Sequence, residues 1–209
     1  MKIDTKLINA SLLLFTLSVL SGCTSIPAKK EAPVDWKSRQ AAFAQIDSWL
    51  MHARIGMRSK HHSGSATLIW DETERKRKLR LLGPLGGGVI YLQQDKTGVS
   101  LQDSNGKQWH ADDPNELIYR VTGWQIPVSG LRWWLLGNTE PGSTAEYTLD
   151  ESQRLLSVTQ DGWKVTLDKY KLFGDYELPS SIVVETQAGQ DKDGYIRAKL
   201  IVKEWKITN

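Results

Sequence analysis

The sequence predicts a mainly β fold in which one domain contains roughly nine to eleven antiparallel strands and a few helices. Two observations support this prediction. Apolar and polar residues alternate through most of the chain after Gly56, which is the period of a half-buried strand. The alternating runs are short and are separated by turn sequences such as Asn105-Gly106, a strong hairpin signal. Consecutive short strands joined by turns favour a single, strongly bent sheet or barrel.

The first 22 residues predict a lipoprotein signal peptide. A basic start at Met1–Lys6 is followed by an apolar run, Leu7–Leu20, which is too short to span a bilayer as a helix. The sequence Leu-Ser-Gly-Cys at Leu20–Cys23 matches the bacterial lipobox, in which the cysteine thiol receives a diacylglycerol and the signal is cut before the cysteine. Cys23 is the only cysteine, so we predict that it is lipidated and that no thiol remains for a disulfide or a metal site.

The residues after Cys23 predict a tether and a location. Residues 23–35 are rich in Pro, Lys and Ala and indicate a lipidated, flexible spacer, with a single domain at 36–209. Ser25 is the second residue after Cys23, a position at which an aspartate would resemble the inner-membrane retention signal of Gram-negative bacteria. We therefore expect a lipid-anchored protein on the periplasmic side of the outer membrane.

The domain is predicted to begin with a helix at about 36–52. Trp36, Phe43, Ile46 and Leu50 recur at helical spacing on one face, and Gly56 is a plausible stop. Strands are then expected up to about residue 111, with a charged hairpin at 71–78.

A helical insertion is predicted at 112–137. Asp113, Pro114 and Glu116 provide a cap, a proline at the first helical position and a glutamate three residues after the cap, and Gly123 ends this helix. Ser129 is expected to cap a second short helix that closes at Gly137. Strands resume from about residue 145.

The composition and the polar motifs predict neither catalysis nor a cofactor. Removal of residues 1–22 takes away two lysines and one aspartate and leaves a net charge of +2, too small to indicate a nucleic-acid partner. The His61-His62 pair has no third ligand at a metal spacing. Gly86–Gly88 are followed by a strand-like run instead of the lysine and helix of a P-loop. The basic run 74–78 is either a solvated hairpin or a contact for lipid phosphates or an acidic partner.

The tryptophan content is unusually high, because the chain has nine tryptophans and three phenylalanines. Tryptophan suits a core, an interface or the wall of an apolar cavity. Nine residues are predicted to point inward: Trp70, Leu79, Leu81, Val99, Leu101, Ile118, Trp134, Trp163 and Val165. Periodicity alone leaves two alternatives open for them, a filled core or the wall of a cavity.

Over essentially its whole length the chain resembles the LolB family of outer-membrane lipoprotein receptors in the lipoprotein-sorting pathway. The resemblance is carried by the order and spacing of several motifs, which are the lipobox, Arg80–Gly86, Ala111–Asp113, Leu117–Gly123, Ile126–Gly137 and Trp163–Val165. It implies a half-open antiparallel barrel of about 9–11 strands with a helical lid over a hydrophobic cavity.

The resemblance also implies a function. Members of this family take the acyl chains of a lipoprotein from a periplasmic carrier and release them into the outer membrane without nucleotide hydrolysis. The nine inward residues would then line an acyl-chain cavity. The expected partners are the carrier, lipidated cargo and outer-membrane lipid, and the expected state is a monomer. The alternatives are a structural lipoprotein that binds an envelope partner through a filled barrel, and an enzyme with chemistry that no motif reveals.

A leucine between glycines forms the predicted membrane-insertion loop. Gly83, Pro84, Leu85 and Gly86 join two strand-like runs, and a turn tip normally carries polar residues. The family presents a leucine at this position on a protruding turn. Burial of one leucine contributes only about 1.5–3 kcal/mol, which suits reversible insertion. The other reading is a leucine that folds back onto the barrel.

Overall fold

The computed structural model describes residues 35–60, 63–84, 88–123, 125–186 and 195–208. By its internal contacts the chain divides into Met1–Ala32 and Pro33–Asn209, and all described residues belong to the second unit. Several sequence predictions therefore lie outside the described residues: the signal peptide, most of the tether with Cys23, the His61-His62 pair, and Leu85 and Gly86 of the insertion loop.

The described residues form eleven strands in one antiparallel sheet. In chain order the strands are β1 Trp49–Arg58, β2 Ser63–Glu72, β3 Arg77–Leu82, β4 Val89–Asp95, β5 Gly98–Gln102, β6 Gln108–Ala111, β7 Ala145–Leu149, β8 Leu155–Gln160, β9 Trp163–Phe173, β10 Tyr176–Thr186 and β11 Arg197–Ile207.

The strand order explains why the sheet is open. The first and last strands pair in the middle, and hairpins extend the sheet to either side in the order β6-β5-β4-β3-β2-β1-β11-β10-β9-β8-β7. The edge strands β6 and β7 do not pair with each other. The prediction of a mainly β, antiparallel, half-open fold is therefore confirmed.

Within the described ranges, three helices accompany the sheet: α1 Trp36–Ala44, α2 Pro114–Thr122 and α3 Val128–Trp134. The start of α2 is as predicted, because the Asp113 carboxylate accepts a hydrogen bond of 2.7 Å from the Glu116 backbone N–H. Its end is also as predicted, at Gly123, which has a left-handed φ of 71° that glycine adopts without strain.

Two helix boundaries differ from the prediction. The Ser129 side chain does not cap α3, which begins at Val128. The Val128 N–H instead donates to Asn115 Oδ1 of α2 at 2.8 Å, so a neighbouring helix satisfies the free end. The N-terminal helix ends at Ala44 and not near residue 52, because Trp49, Met51, Ala53 and Ile55 alternate into the core as part of β1.

The helices cover one face of the sheet, which we call the inner face. Arg132 of α3 binds Glu72 of β2 at 2.9 Å. Trp134 of the same helix donates its indole N–H to Gln160 of β8 at 2.9 Å. One short helix thus reaches both halves of the sheet, which we call the near arm (β1–β6) and the far arm (β7–β11). The sheet must bend around this helix. On the far arm α1 packs through Trp36 against Tyr147 of β7, with ring centroids 5.3 Å apart.

Within the described ranges, no helix has both the length and the apolarity needed to cross a bilayer.

Candidate functional site

A cavity of about 710 Å³ lies between the inner face of the sheet and the helices. This volume is within the usual range of ligand-binding cavities, roughly 300–1,000 Å³. The lining is mostly apolar and includes these side chains: Ile55, Met57, Ala66, Leu68, Trp70, Leu79, Leu81, Val89, Ile90, Leu92, Trp109, Ile118, Val121, Ile126, Leu131 and Leu200.

The cavity has a wall of strands and a wall of helices. Alternation along β2 directs Ala66, Leu68 and Trp70 inward, while their neighbours face the other side of the sheet. The helical wall comprises Ile118 and Val121 of α2, Leu131 of α3, and Ile126 between the two helices. Removal of this helical insertion would therefore expose the apolar face of the near arm to water.

The cavity opens at one end of the sheet, which we call the mouth end. Ser63, Gly64, Gly88 and Ser104 line the cavity and are exposed to solvent. They lie where β2 and β4 begin and where β5 leads into its hairpin, and these three points share one end of an antiparallel sheet. An extended apolar molecule could therefore enter lengthwise from this end.

The predicted insertion loop lies at the same mouth end. Gly83 and Gly88 line the cavity and close the base of the loop, since the Gly83 N–H donates to the Gly88 carbonyl at 3.0 Å. Pro84 is exposed. Leu85 and Gly86 lie outside the described residues, and the role of Leu85 stays a prediction.

A buried carboxylate fixes the helical wall to the sheet. Glu72 is 5% exposed and accepts hydrogen bonds from Trp70 Nε1 at 2.8 Å, from Arg77 Nε at 2.8 Å and from Arg132 Nε at 2.9 Å. Burial of a carboxylate is costly unless counter-charges and hydrogen bonds compensate for the lost water, and here two guanidinium groups do so. The contact with Arg132 therefore holds α3, and with it the lid, in a defined position.

The nine residues predicted to line an acyl-chain cavity separate into two groups. Four of them line the cavity: Trp70, Leu79, Leu81 and Ile118. Four others are buried in the packed core without lining it: Val99, Leu101, Trp134 and Val165. Trp163 is partly buried and packs against that core. The interior is thus filled in the far arm and around β5, and hollow between the helices and β1–β4.

The prediction missed several lining residues. Met57, Ile90 and Trp109 line the cavity from the ends of three strands, and Leu200 lines it from β11. Alternation can identify the side of a strand that faces inward, but nothing in the sequence states how close to the open end a strand residue lies.

The cavity is poor in groups that could react or hold a metal. Among the described residues, no group of three His, Cys, Asp or Glu side chains could hold a metal ion. The carboxylate of Asp103, at the mouth, already accepts the backbone N–H groups of Asn105 and Lys107.

Groups with shifted pKa values lie elsewhere. Burial raises the pKa of Tyr170, and its hydroxyl donates to the Leu155 carbonyl at 2.7 Å, a structural contact in the far arm. His52 pairs with Glu204 on the face away from the cavity, and His110 is exposed on β6. The cavity, with its mostly apolar lining, is therefore suited to binding an apolar ligand.

The basic run 74–78 lies on the β2–β3 hairpin, at the end of the sheet opposite the mouth. Arg77 points inward to Glu72, and Lys78 faces outward 3.9 Å from Asp71. Only part of the run is therefore a free cationic surface.

Comparisons with known proteins agree with this description. A family model described as "Outer membrane lipoprotein LolB" matches residues 47–205. The chain is 34% identical over 198 residues to the "Outer-membrane lipoprotein LolB" of Pseudomonas putida, a match that covers 92% of this chain and 93% of that protein. It is 33% identical over 195 residues to the protein of that name from Pseudomonas aeruginosa, covering 91% and 92%.

Among solved structures, a DUF1329 family protein from Desulfovibrio piger is similar in fold. The TM-score is 0.52 at 5% sequence identity, and the match covers 81% of this chain and 89% of that one. Identity this low indicates a common fold only.

Proposed function

Because the chain belongs to the family of the outer-membrane lipoprotein LolB, we propose that it is an outer-membrane receptor in lipoprotein sorting. It accepts lipoproteins from a soluble periplasmic carrier by binding their acyl chains and inserts them into the outer membrane, with no catalytic step of its own. Cys23 carries the lipid anchor, residues 23–35 form the tether, and the monomeric domain 36–209 binds the cargo.

The observation that carries this proposal is the apolar cavity of about 710 Å³. Each CH₂ group that leaves water contributes roughly 0.8 kcal/mol, so a chain of many CH₂ groups binds tightly in a cavity lined by Leu, Ile and Trp. A structural lipoprotein with a filled barrel would not need such a space. The hollow interior therefore favours a receptor over that alternative.

The direction of transfer follows from relative affinities. A carrier that holds acyl chains less favourably gives them up to this cavity, and the bilayer, which buries them more fully, takes them in turn. No nucleotide is required, because each step runs downhill in free energy. The placement of the cavity opening and of the Pro84 loop at one end would let chains pass directly from the mouth to the membrane.

A cavity-filling substitution tests the proposal. Ala66 is a small residue of the cavity wall, and we expect Ala66→Trp to occupy the space and to prevent uptake of a radiolabelled lipoprotein from the loaded carrier. Thr67→Trp is the matched control, because Thr67 is exposed on the other face of the same strand. Uptake by Ala66→Trp at the wild-type level, with the fold intact, would contradict the assignment of the cavity.

A further inference from the structure

The face of the sheet opposite the cavity, the outer face, carries a group of cations at the mouth end. Arg54 and Arg58 alternate with Gly56 along β1 and are exposed. Arg197 and Lys199 are exposed on the paired strand β11. The register places Arg58 opposite Arg197 and Gly56 opposite Lys199. We call Arg54, Arg58, Arg197 and Lys199 the cationic patch.

The charge of the cationic patch is largely uncompensated. Its one ion pair in the described part of the chain joins Arg197 Nε to Glu185 Oε2 at 3.3 Å. Four cations and this carboxylate leave a charge of +3, which equals the formal net charge of the whole chain. Like charges directly opposite each other on neighbouring strands lower stability. The fold therefore gains nothing from the Arg58–Arg197 pair, and a binding role explains it better.

The cationic patch is continuous with an apolar rim beside the insertion loop. Across the outer face, Arg54 pairs with Thr67, Thr67 with Leu82, and Leu82 with Val89. Leu82 and Val89 flank the loop that begins at Pro84. Val89 lies at the edge of the mouth, where it also lines the cavity, and is 37% exposed. Cations next to exposed apolar side chains are typical of surfaces that contact a bilayer, where phosphates meet the cations and the hydrocarbon edge meets the apolar groups.

We propose that the cationic patch docks on the headgroups of anionic phospholipids and thereby turns the mouth end toward the membrane. Guanidinium groups suit this partner because each can donate two parallel hydrogen bonds to the oxygens of one phosphate. The inference rests on the proposed function. It adds a contact that fixes the orientation of the domain on the membrane, because the tether alone does not fix this orientation. A tether of 13 residues reaches about 45 Å when extended and permits either end of the domain to face the lipid.

Fluorescence resonance energy transfer from a dye on the domain to a dye in the bilayer tests this orientation. The lipidated full-length chain is reconstituted in vesicles that carry an acceptor dye on a lipid headgroup. With Cys23 acylated, a cysteine introduced at Gln108 or at Ser152 is the free thiol for a donor dye. Both residues are exposed. Gln108 begins β6 at the mouth end, and Ser152 lies in the β7–β8 turn at the opposite end.

In vesicles of phosphatidylcholine with about 30% phosphatidylglycerol, we expect stronger transfer from the Gln108 label than from the Ser152 label. The difference should vanish in pure phosphatidylcholine and in salt of about 1 M, where the screening length is about 3 Å. Removal of three cations in Arg54→Gln/Arg58→Gln/Lys199→Gln should lower the orientation equilibrium constant on the order of a hundredfold, at roughly fivefold per cation. Equal transfer from both labels in the wild-type chain on anionic vesicles would overturn the proposal.

A matched triple variant removes the same charge from the opposite end. Lys76, Lys96 and Lys171 are exposed there, and their replacement by Gln should leave the orientation unchanged. Wild-type orientation in the patch variant would overturn the proposal, as would equal loss in both variants.

Uptake of cargo in membrane-free solution separates this proposal from the proposed function. We expect the patch variant to take labelled lipoprotein from the carrier as well as the wild type does. If the variant lost uptake but kept its orientation on vesicles, the patch would dock the carrier and the lipid proposal would fail. If the wild type itself took up no cargo, the receptor function would fail while the orientation result stood independently.

Discussion

Replacement of Glu72 by glutamine should destabilise the protein strongly, because it leaves two cations without their counter-charge in a poorly hydrated place. The Glu72 side chain is 5% exposed, and those of Arg77 and Arg132 are 13% and 16% exposed. Breaking a buried ion pair by removal of one partner typically costs about 3–5 kcal/mol. We expect Glu72→Gln to lower the free energy of unfolding by this amount.

Arg132→Met should cost less, because Glu72 then keeps both hydrogen bonds from Arg77, at 2.8 and 3.0 Å. Loss of one hydrogen bond to a charged group costs about 1.5–3 kcal/mol. The effect should be concentrated in the lid, so that backbone amides of α3 exchange with solvent faster than those of β1.

Urea denaturation measures both changes, and amide exchange locates them. Glu74→Gln is the control, since Glu74 is exposed in the neighbouring turn and should change stability by less than about 0.5 kcal/mol. A cost for Glu72→Gln below about 1 kcal/mol would refute the reasoning that this carboxylate is the main attachment of the lid. A cost for Arg132→Met equal to that of Glu72→Gln would refute it too.

Three further predictions concern the loop, the outer face and acid stability. Leu85→Glu should leave folding and cargo uptake intact but block release of labelled lipoprotein into vesicles, because a charge resists entry into hydrocarbon. Normal release would contradict the role of the loop in membrane insertion. Leu172→Glu is the control, because Leu172 is 74% exposed. Arg58→Gln should raise the free energy of unfolding by about 0.2–1 kcal/mol by relieving repulsion from Arg197, and a decrease in urea melts would contradict this. Burial raises the pKa of Asp150. Hydrogen bonds from the backbone and side chain of Arg154 outweigh burial and hold the pKa below its usual value. The ionised Asp150 carboxylate therefore contributes stability above the ordinary pKa of an aspartate, and this contribution is lost as the pH falls through the lowered pKa. The difference in the free energy of unfolding between wild type and Asp150→Asn should shrink below about pH 4.

Local sequence signals predicted the elements whose ends are set by their own residues. Asp113, Pro114 and Gly123 begin and end α2 as expected, since a cap, a proline and a left-handed glycine act within one turn. The inward direction of Trp70 on β2 was likewise predicted from local alternation. Such signals need no knowledge of the rest of the fold.

The end of the first helix was wrong because two periodicities overlap there. Phe43, Ile46 and Leu50 fit a helix, while Trp49 and Met51 fit a strand that continues to Arg58. Pairing with β2 and β11 decides in favour of the strand, and β11 is distant in sequence.

The boundary between cavity and core could not be predicted, because it depends on where each strand lies relative to the lid. Leu81 and Leu101 both point inward, yet Leu81 lines the cavity and Leu101 is fully buried in the core. The attachment of the lid was equally hidden, since Arg132 and Glu72 are 60 positions apart and no local pattern links them.

Transfer of cargo tests the central claim most directly. Carrier loaded with a radiolabelled lipoprotein is mixed with this protein in the absence of ATP, and the two proteins are separated to find which one holds the label. We expect the label to move to this protein, and to stay on the carrier when Ala66→Trp fills the cavity. Label that remains on the carrier in the presence of the folded wild-type protein would contradict the receptor function and would leave the cavity without its proposed ligand.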